Sequence, residues 1–335
     1  MTFSARLSLF FKGVAMGGAD VVPGVSGGTI AFITGIYEEL LETLSGLNLG
    51  LLKTLRKDGF GAFWSKLNGG FLLTLFAGIF ISLISLAIGV EYVLEHHPIL
   101  LWSFFFGLIV ASVWLMGKQV AKWDLAAILS LIIGSVVAYF ITTITPTSGS
   151  ETWWYILISG SVAITAMILP GISGSFILLL MGMYTTILGA LSDSVKTATA
   201  GAWTELAVSG KIIILFMIGC LAGLILFSKA LNWLYKSYRN VTIAVLTGFL
   251  IGSLNKIYPW KNVLETFTKH PGTDKEEVIP IVVENVSPFI YEELGKGDHL
   301  LGLSIVCALL GVVVIVVLDR FSSKEKAVIT DRSLR

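Results

Sequence analysis

Charge is what this 335-residue sequence has least of. Asp, Glu, Lys and Arg together make up 13% of it, about half the ~25% of an ordinary soluble domain. Net charge is +1, which argues against nucleic acid as a partner. Only two cysteines occur, Cys220 and Cys307, both inside apolar stretches, so neither a disulfide framework nor zinc-ligand spacing is present. The four histidines (His96, His97, His270, His299) fall in expected loops or at a segment edge, which argues against a buried histidine metal site. No metal or organic cofactor is expected. A cleavable leader is not expected either: Arg6, Lys12 and Asp20 interrupt the first apolar run, and no small-residue cleavage site follows.

What is abundant is apolar sequence, 55% of residues. A membrane-spanning helix needs about 20 apolar residues. Six segments meet or approach that length: Phe71–Val90, Pro98–Gly117, Leu125–Ile144, Ile212–Ser228, Val241–Asn255 and Leu300–Leu318. The fifth is short and needs a thinned bilayer or snorkelling flanks. Trp102, Trp123, Trp153, Trp154 and Trp233 lie near segment ends, as an interfacial aromatic belt requires.

Two further stretches are too long for one crossing and are interrupted near their middles. Phe3–Leu41 is broken by Pro23-Gly24, and the uncharged Thr152–Ser192 by Pro170-Gly171. Each reads as two short helices joined by an irregular turn, a hairpin that enters and leaves on one side. Loop charge tests this, because cytoplasmic loops carry the Lys and Arg excess. With both hairpins re-entrant, the basic N-terminus, the 46–70 and 118–124 loops, the 229–240 loop and the tail all fall inside. The 91–97, 145–151 and acidic 257–299 loops then fall outside. Reading each stretch as a single broken crossing moves the basic 46–70 and 118–124 loops outside. A hairpin that returns to its own side is therefore preferred, and a full two-crossing hairpin gives the same loop sides as a shallow re-entrant one. The 46–70 segment, with Leu51, Leu52, Leu55, Phe60 and Phe63 among basic residues, reads either as an amphipathic surface helix or as an ordinary basic loop.

The halves repeat one another. Pro23-Gly24-Val25-Ser26-Gly27 matches Pro170-Gly171-Ile172-Ser173-Gly174, and Ile30, Gly35, Tyr37 and Leu41 match Ile177, Gly182, Tyr184 and Leu188. A second block, Gly107–Ser112, matches Gly248–Ser253. The expected fold is an all-α polytopic membrane protein of two inverted repeats, each a re-entrant helical hairpin plus three transmembrane helices. The first repeat is 1–147, with its hairpin at 3–45 and helices at about 71–90, 98–117 and 125–144. The second is 148–320, with its hairpin at 152–192 and helices at about 212–228, 241–255 and 300–318. An external acidic loop at 257–299 and a cytoplasmic tail at 321–335 complete the chain. Three crossings per half is an odd number, so the second half is inverted, an architecture shared by many secondary transporters.

Irregular backbone at membrane depth persists only when buried in protein or lining a polar cavity. Gly24, Gly27, Gly28, Gly171 and Gly174 permit close backbone approach, and Ser26, Thr29, Ser173 and Ser175 add hydroxyls. The N-termini that follow favour an anion. Two such breaks can together hold a phosphate or carboxylate; the plainer reading is that they only shape and pack two helices. Asp20 has Met167 at its matching place. It reads as a coupling site for H+ or Na+, or as a cap of the break, or as a partner of Lys12. Lys12 reads as a head-group contact or a snorkelling side chain.

Lys12-Gly13, the run Met16-Gly17-Gly18-Ala19-Asp20-Val21-Val22-Pro23-Gly24-Val25-Ser26-Gly27-Gly28-Thr29, and Leu169-Pro170-Gly171-Ile172-Ser173-Gly174-Ser175 resemble the bacterial polyprenyl-phosphate transporter family over essentially the whole chain. That family was long catalogued as a membrane domain of unknown function. The resemblance implies a flippase that returns undecaprenyl phosphate from the outer to the cytoplasmic leaflet for reuse. It also implies the bacterial inner membrane as location, with both termini placed in the cytoplasm by the loop charges. The 257–299 loop matches no pattern of the family. The alternative is a proton- or sodium-coupled transporter of a small soluble anion, which needs an enclosed cavity rather than a side opening for a lipid tail. An intramembrane enzyme is disfavoured, because no histidine or clustered acid–base set lies near either break.

Overall fold

The computed structural model describes residues 3–20, 26–48, 50–200, 203–269 and 277–333. The protein is a multi-pass helical membrane protein. The first half comprises α1 (Phe3–Asp20), α2 (Gly27–Ile33), α3 (Tyr37–Ser45), α4 (Gly50–Lys66), α5 (Gly69–His96), α6 (Pro98–Lys118) and α7 (Leu125–Thr143). The second comprises α8 (Trp153–Ile168), α9 (Gly174–Leu180), α10 (Tyr184–Ala200), α11 (Trp203–Ser237), α12 (Arg239–Ser253), β1 (Lys261–Lys269), β2 (Glu277–Asn285), α13 (Pro288–Glu293) and α14 (Leu301–Ser333).

Among the described residues, four helices are long and apolar enough to cross a membrane, and up to six spans result if each of two bent pairs counts as one. The environment is written on their outer faces. Ile128, Ile132, Val136 and Phe140 repeat at helical spacing along α7, yet all are more than 40% exposed. An apolar stripe of that length facing water would be an aggregation surface; facing lipid it is at equilibrium. The 28 residues of α5 and the 35 of α11 correspond to about 42 and 52 Å, beyond a ~30 Å hydrocarbon core, so both project past it. The 91–97 stretch is accordingly helical through His96 rather than a loop.

The sequence reading takes each hairpin as two helices around one turn. The structure divides each into three helical pieces, because a second turn follows the break. The turn has the same chemistry in both halves. Gly35 (φ 72°) and Gly182 (φ 65°) hold left-handed backbone. At the first, the Ile36 N–H donates to Ala31 O (3.0 Å) and the Gly35 N–H to Phe32 O (3.1 Å). At the second, the Met183 N–H donates to Leu178 O (2.9 Å) and the Gly182 N–H to Leu179 O (2.9 Å). This is the glycine-terminated helix end in which the last carbonyls find partners without a Cβ clash. In the second half the turn bends the chain by 108° between α9 and α10.

Matched contacts extend to the helix pairs. α1 packs on α5 in the first half as α8 packs on α11 in the second, and the third long helix of each half crosses over to the other: α14 lies on α6, and α7 on α12. The repeated glycines seat these crossings. A Cβ on Gly107 would collide with Ala308 O, and one on Gly248 with Leu131 O, so backbones approach where small residues allow. One buried cluster, including Phe32, Leu108, Ile109, Leu246, Leu250 and Ile315, draws on both halves.

The 257–299 segment is not a plain loop. It carries an antiparallel two-stranded hairpin, β1–β2, and the short α13. Trp260 Nε1 anchors it by donating to His299 O at 2.8 Å. On the other side of the protein, Lys236 meets Glu42 at 2.5 Å and Arg239 meets Glu38 at 3.6 Å, joining α11 and the chain beyond it to α3. All four side chains are about half exposed, so each pair contributes at most ~1 kcal/mol.

Candidate functional site

The two breaks lie against each other at the centre of the protein and are used differently. Ser26 caps α2, its Oγ accepting from the Gly28 N–H at 3.1 Å. The same hydroxyl faces the carbonyls of Met167 (3.3 Å) and Leu169 (3.2 Å) at the end of α8. The Tyr37 hydroxyl donates to Ile168 O at 3.2 Å. Thr29 Oγ1 accepts from the Gly171 N–H at 3.2 Å. A helix end leaves carbonyls without partners, and here the first hairpin supplies partners to the end of α8. Ser26, Thr29 and Tyr37 are all buried, so water cannot substitute for these bonds.

Asp20 closes the first break from its other side. Its Oδ1 accepts from the Gly27 N–H at 2.7 Å, and a Cβ on Gly27 would lie 2.5 Å from Oδ2. The carboxylate therefore joins the end of α1 to the start of α2 across residues 21–25. Gly24 lies outside the described residues. Lys12 is half-buried on α1, about two turns before Asp20. Gly28 fits against Ile168 O, and Gly174 against Ala163 O, distances of 2.7 and 2.6 Å from where a Cβ would stand.

The second break is open by comparison. Ser173 begins α9 without a side-chain cap bond. Its Oγ lies 2.9 Å from Ser175 Oγ; Ser173 is buried and Ser175 exposed. A narrow cleft here is walled by Gly171, Ser173, Phe176, Thr142 and Lys256. It adjoins a cavity of about 340 Å³ that shares Thr142 and Lys256 with it and adds Asn255, Lys261 and Asn285. A hydrogen-bonded chain braces the wall: Asn285 Nδ2 donates to Asn255 Oδ1 (2.8 Å), and Asn255 Nδ2 to Thr142 Oγ1 (2.7 Å). Burial lowers the Lys256 ammonium from its ordinary range; Lys261 is lowered further, by burial and then by the neighbouring charge of Lys256.

Of the residues read from the sequence, Ser26, Gly28 and Thr29 thus form the seal between the halves, and Asp20 with Gly27 braces the first break behind it. Gly171 and Ser173 line the open cleft, while Gly174 packs against α8 and the exposed Ser175 meets Ser173 through its hydroxyl. Sequence reasoning missed Lys256 and Lys261. A signal existed: two lysines bracket Ile257-Tyr258-Pro259-Trp260 on a face where charge parity otherwise places acidic residues.

Apolar helices with lipid-exposed outer faces, packed around two broken hairpins that meet inside, define a multi-pass membrane protein built on paired helix breaks. The chain belongs to the undecaprenyl phosphate translocase-like family, which matches residues 16–275. Among its relatives, the polyprenyl-phosphate transporter of Vibrio cholerae serotype O1 is 46% identical over 318 residues, covering 95% of this chain and 97% of that protein. The polyprenyl-phosphate transporter of Staphylococcus aureus is 34% identical over 260 residues, covering 74% and 84%. Both relatives bear the names of transporters, not of enzymes. No solved structure matches the chain.

Proposed function

We propose that this protein carries a polyprenyl phosphate, of the undecaprenyl class, from the outer to the cytoplasmic leaflet of the bacterial inner membrane. The names of the two relatives and of the family support the lipid. One structural observation carries the site: Ser173 lines a cleft walled by Lys256 and, among the described residues, its hydroxyl bonds to Ser175 alone, whereas Ser26 and Thr29 are spent on the opposite half. The second break is then the side at which a phosphate head enters, and the first is the closed side. The tail stays in lipid while the head passes between the repeats, which are inverted with respect to each other. Both termini are cytoplasmic and the 257–299 segment is external. Asp20, behind the seal, is the residue through which H+ or Na+ couples to opening.

The test is reconstitution into liposomes with labelled undecaprenyl phosphate in one leaflet and a neutral polyprenol as control. Protein-dependent exchange of the phosphate but not of the alcohol is expected. Equal exchange of both lipids, or of neither, sinks the proposal.

A further inference from the structure

Lys256 and Lys261 stand at one cavity and, among the described residues, have no counter-charge at hydrogen-bonding range. Lys256 Nζ sits 4.2 Å from the Phe176 ring centroid, and Lys261 Nζ 3.6 Å from that of Trp102. Among the described residues, neither ammonium makes an ion pair. The aromatic faces hold the ammoniums in place without neutralising them. The amides and hydroxyl that share the wall are occupied with one another, through Asn285, Asn255 and Thr142. The other titratable groups at the cavity are Tyr139 and Glu284, the latter exposed on β2.

Two partly buried like charges in one cavity repel, and burial adds to the cost of each. Burial lowers the titration of both lysines, and the charge of Lys256 lowers that of Lys261 further. A surface that only needed solubility would separate such charges or pair them. An anion removes both costs at once, and a dianion does so more completely than a monoanion. The cavity, about 340 Å³, is far larger than one tetrahedral oxyanion, so its bound position is set by the lysines. The narrow cleft that reaches Ser173 shares Lys256 with the cavity. A phosphate held by Lys256 therefore stands where the cavity joins the cleft lined by Ser173.

We propose that this cavity, roofed by the β1–β2 hairpin, is a reception site for a phosphate monoester, in which Lys256 and Lys261 capture the anion and Lys256 delivers it to the cleft lined by Ser173. That the phosphate arrives on a lipid rests on the transport reading above; free phosphate offers the same chemistry to the site.

The experiment uses the full chain in lipid nanodiscs, titrated separately with undecaprenyl phosphate, inorganic phosphate and neutral polyprenol. The variants are Lys256→Met and Lys261→Met, which keep the apolar stem, and Lys256→Arg and Lys261→Arg, which keep the charge. Each methionine variant is expected to lose about tenfold or more in affinity for a phosphate ligand, the arginine variants to stay within a few-fold, and polyprenol binding to stay unchanged. Loss of inorganic phosphate binding with no binding of the lipid supports the cavity but removes the lipid from it, so the transport reading fails alone. Lipid exchange by the wild type, with methionine variants that unfold at the wild-type temperature and bind both phosphates as the wild type does, overturns the reception site alone.

Discussion

Ser26 in the first half and Leu169 in the second are 143 residues apart and share a hydrogen bond, the Ser26 hydroxyl donating to the Leu169 carbonyl at 3.2 Å. Among the described residues, the matched serine, Ser173, makes no such bond across the halves; its hydroxyl meets that of Ser175. Equivalent residues in a repeated sequence thus hold different positions in one conformation, one closing the interface and the other facing a cleft.

From that asymmetry, Ser26→Ala and Ser173→Ala should fail differently. Removing the Ser26 hydroxyl strips a buried partner from the Gly28 N–H and from the α8 carbonyls. The expected cost is ~1–3 kcal/mol of stability, read as a lowered unfolding temperature in detergent. Ser173→Ala should unfold close to the wild type, but bind undecaprenyl phosphate more weakly by about one order of magnitude. Identical behaviour of the two variants in both measurements contradicts the assignment.

Gly182→Ala tests the second turn of the hairpins. Left-handed backbone costs a non-glycine residue roughly 1–2 kcal/mol, and here the added methyl would also run into Gly149 N and Thr147 O. A loss above that backbone cost is expected in thermal unfolding. A variant as stable as the wild type shows that the turn is not held in this geometry.

At Asp20 the cap and the proposed coupling role separate by chemistry. Asp20→Asn keeps an oxygen to accept from the Gly27 N–H, whereas Asp20→Ala removes it. The asparagine variant should fold normally and lose the dependence of lipid exchange on a pH or sodium gradient. The alanine variant should also be destabilised, by ~0.5–2 kcal/mol as for a lost helix cap. Full gradient dependence in Asp20→Asn would leave Asp20 with the cap alone.

Orientation is read by accessibility. After replacement of Cys220 and Cys307 by alanine, single cysteines at the exposed positions Ser65 and Lys296 should react with an impermeant maleimide from opposite sides of sealed cells. Lys296→Cys is expected to be labelled from outside. Labelling of both from one side contradicts the inverted arrangement.

Much of the architecture was legible because a bilayer imposes a simple code. Apolar runs of fixed length, such as those now within α6, α7 and α14, follow from the thickness of hydrocarbon. The repeat was legible because Gly35 and Gly182, with Gly107 and Gly248, serve the same backbone geometry in each half, and a position that tolerates no Cβ is visible as a letter. The additional turn was harder to read, since a lone glycine in an apolar run marks a helix crossing as often as a helix end.

The amino-acid order by itself therefore determined the membrane class and the interruption of the two long apolar stretches, consequences of local backbone and solvent physics. Only tertiary structure decided that Ser26, Thr29 and Tyr37 are consumed in joining the halves, that Ser173 and Ser175 are not, and that Lys256 and Lys261 share a cavity beside them. Those outcomes depend on which groups meet across more than a hundred residues of chain. A hydroxyl or an ammonium carries no mark of its partner until packing brings one to it or leaves it without one.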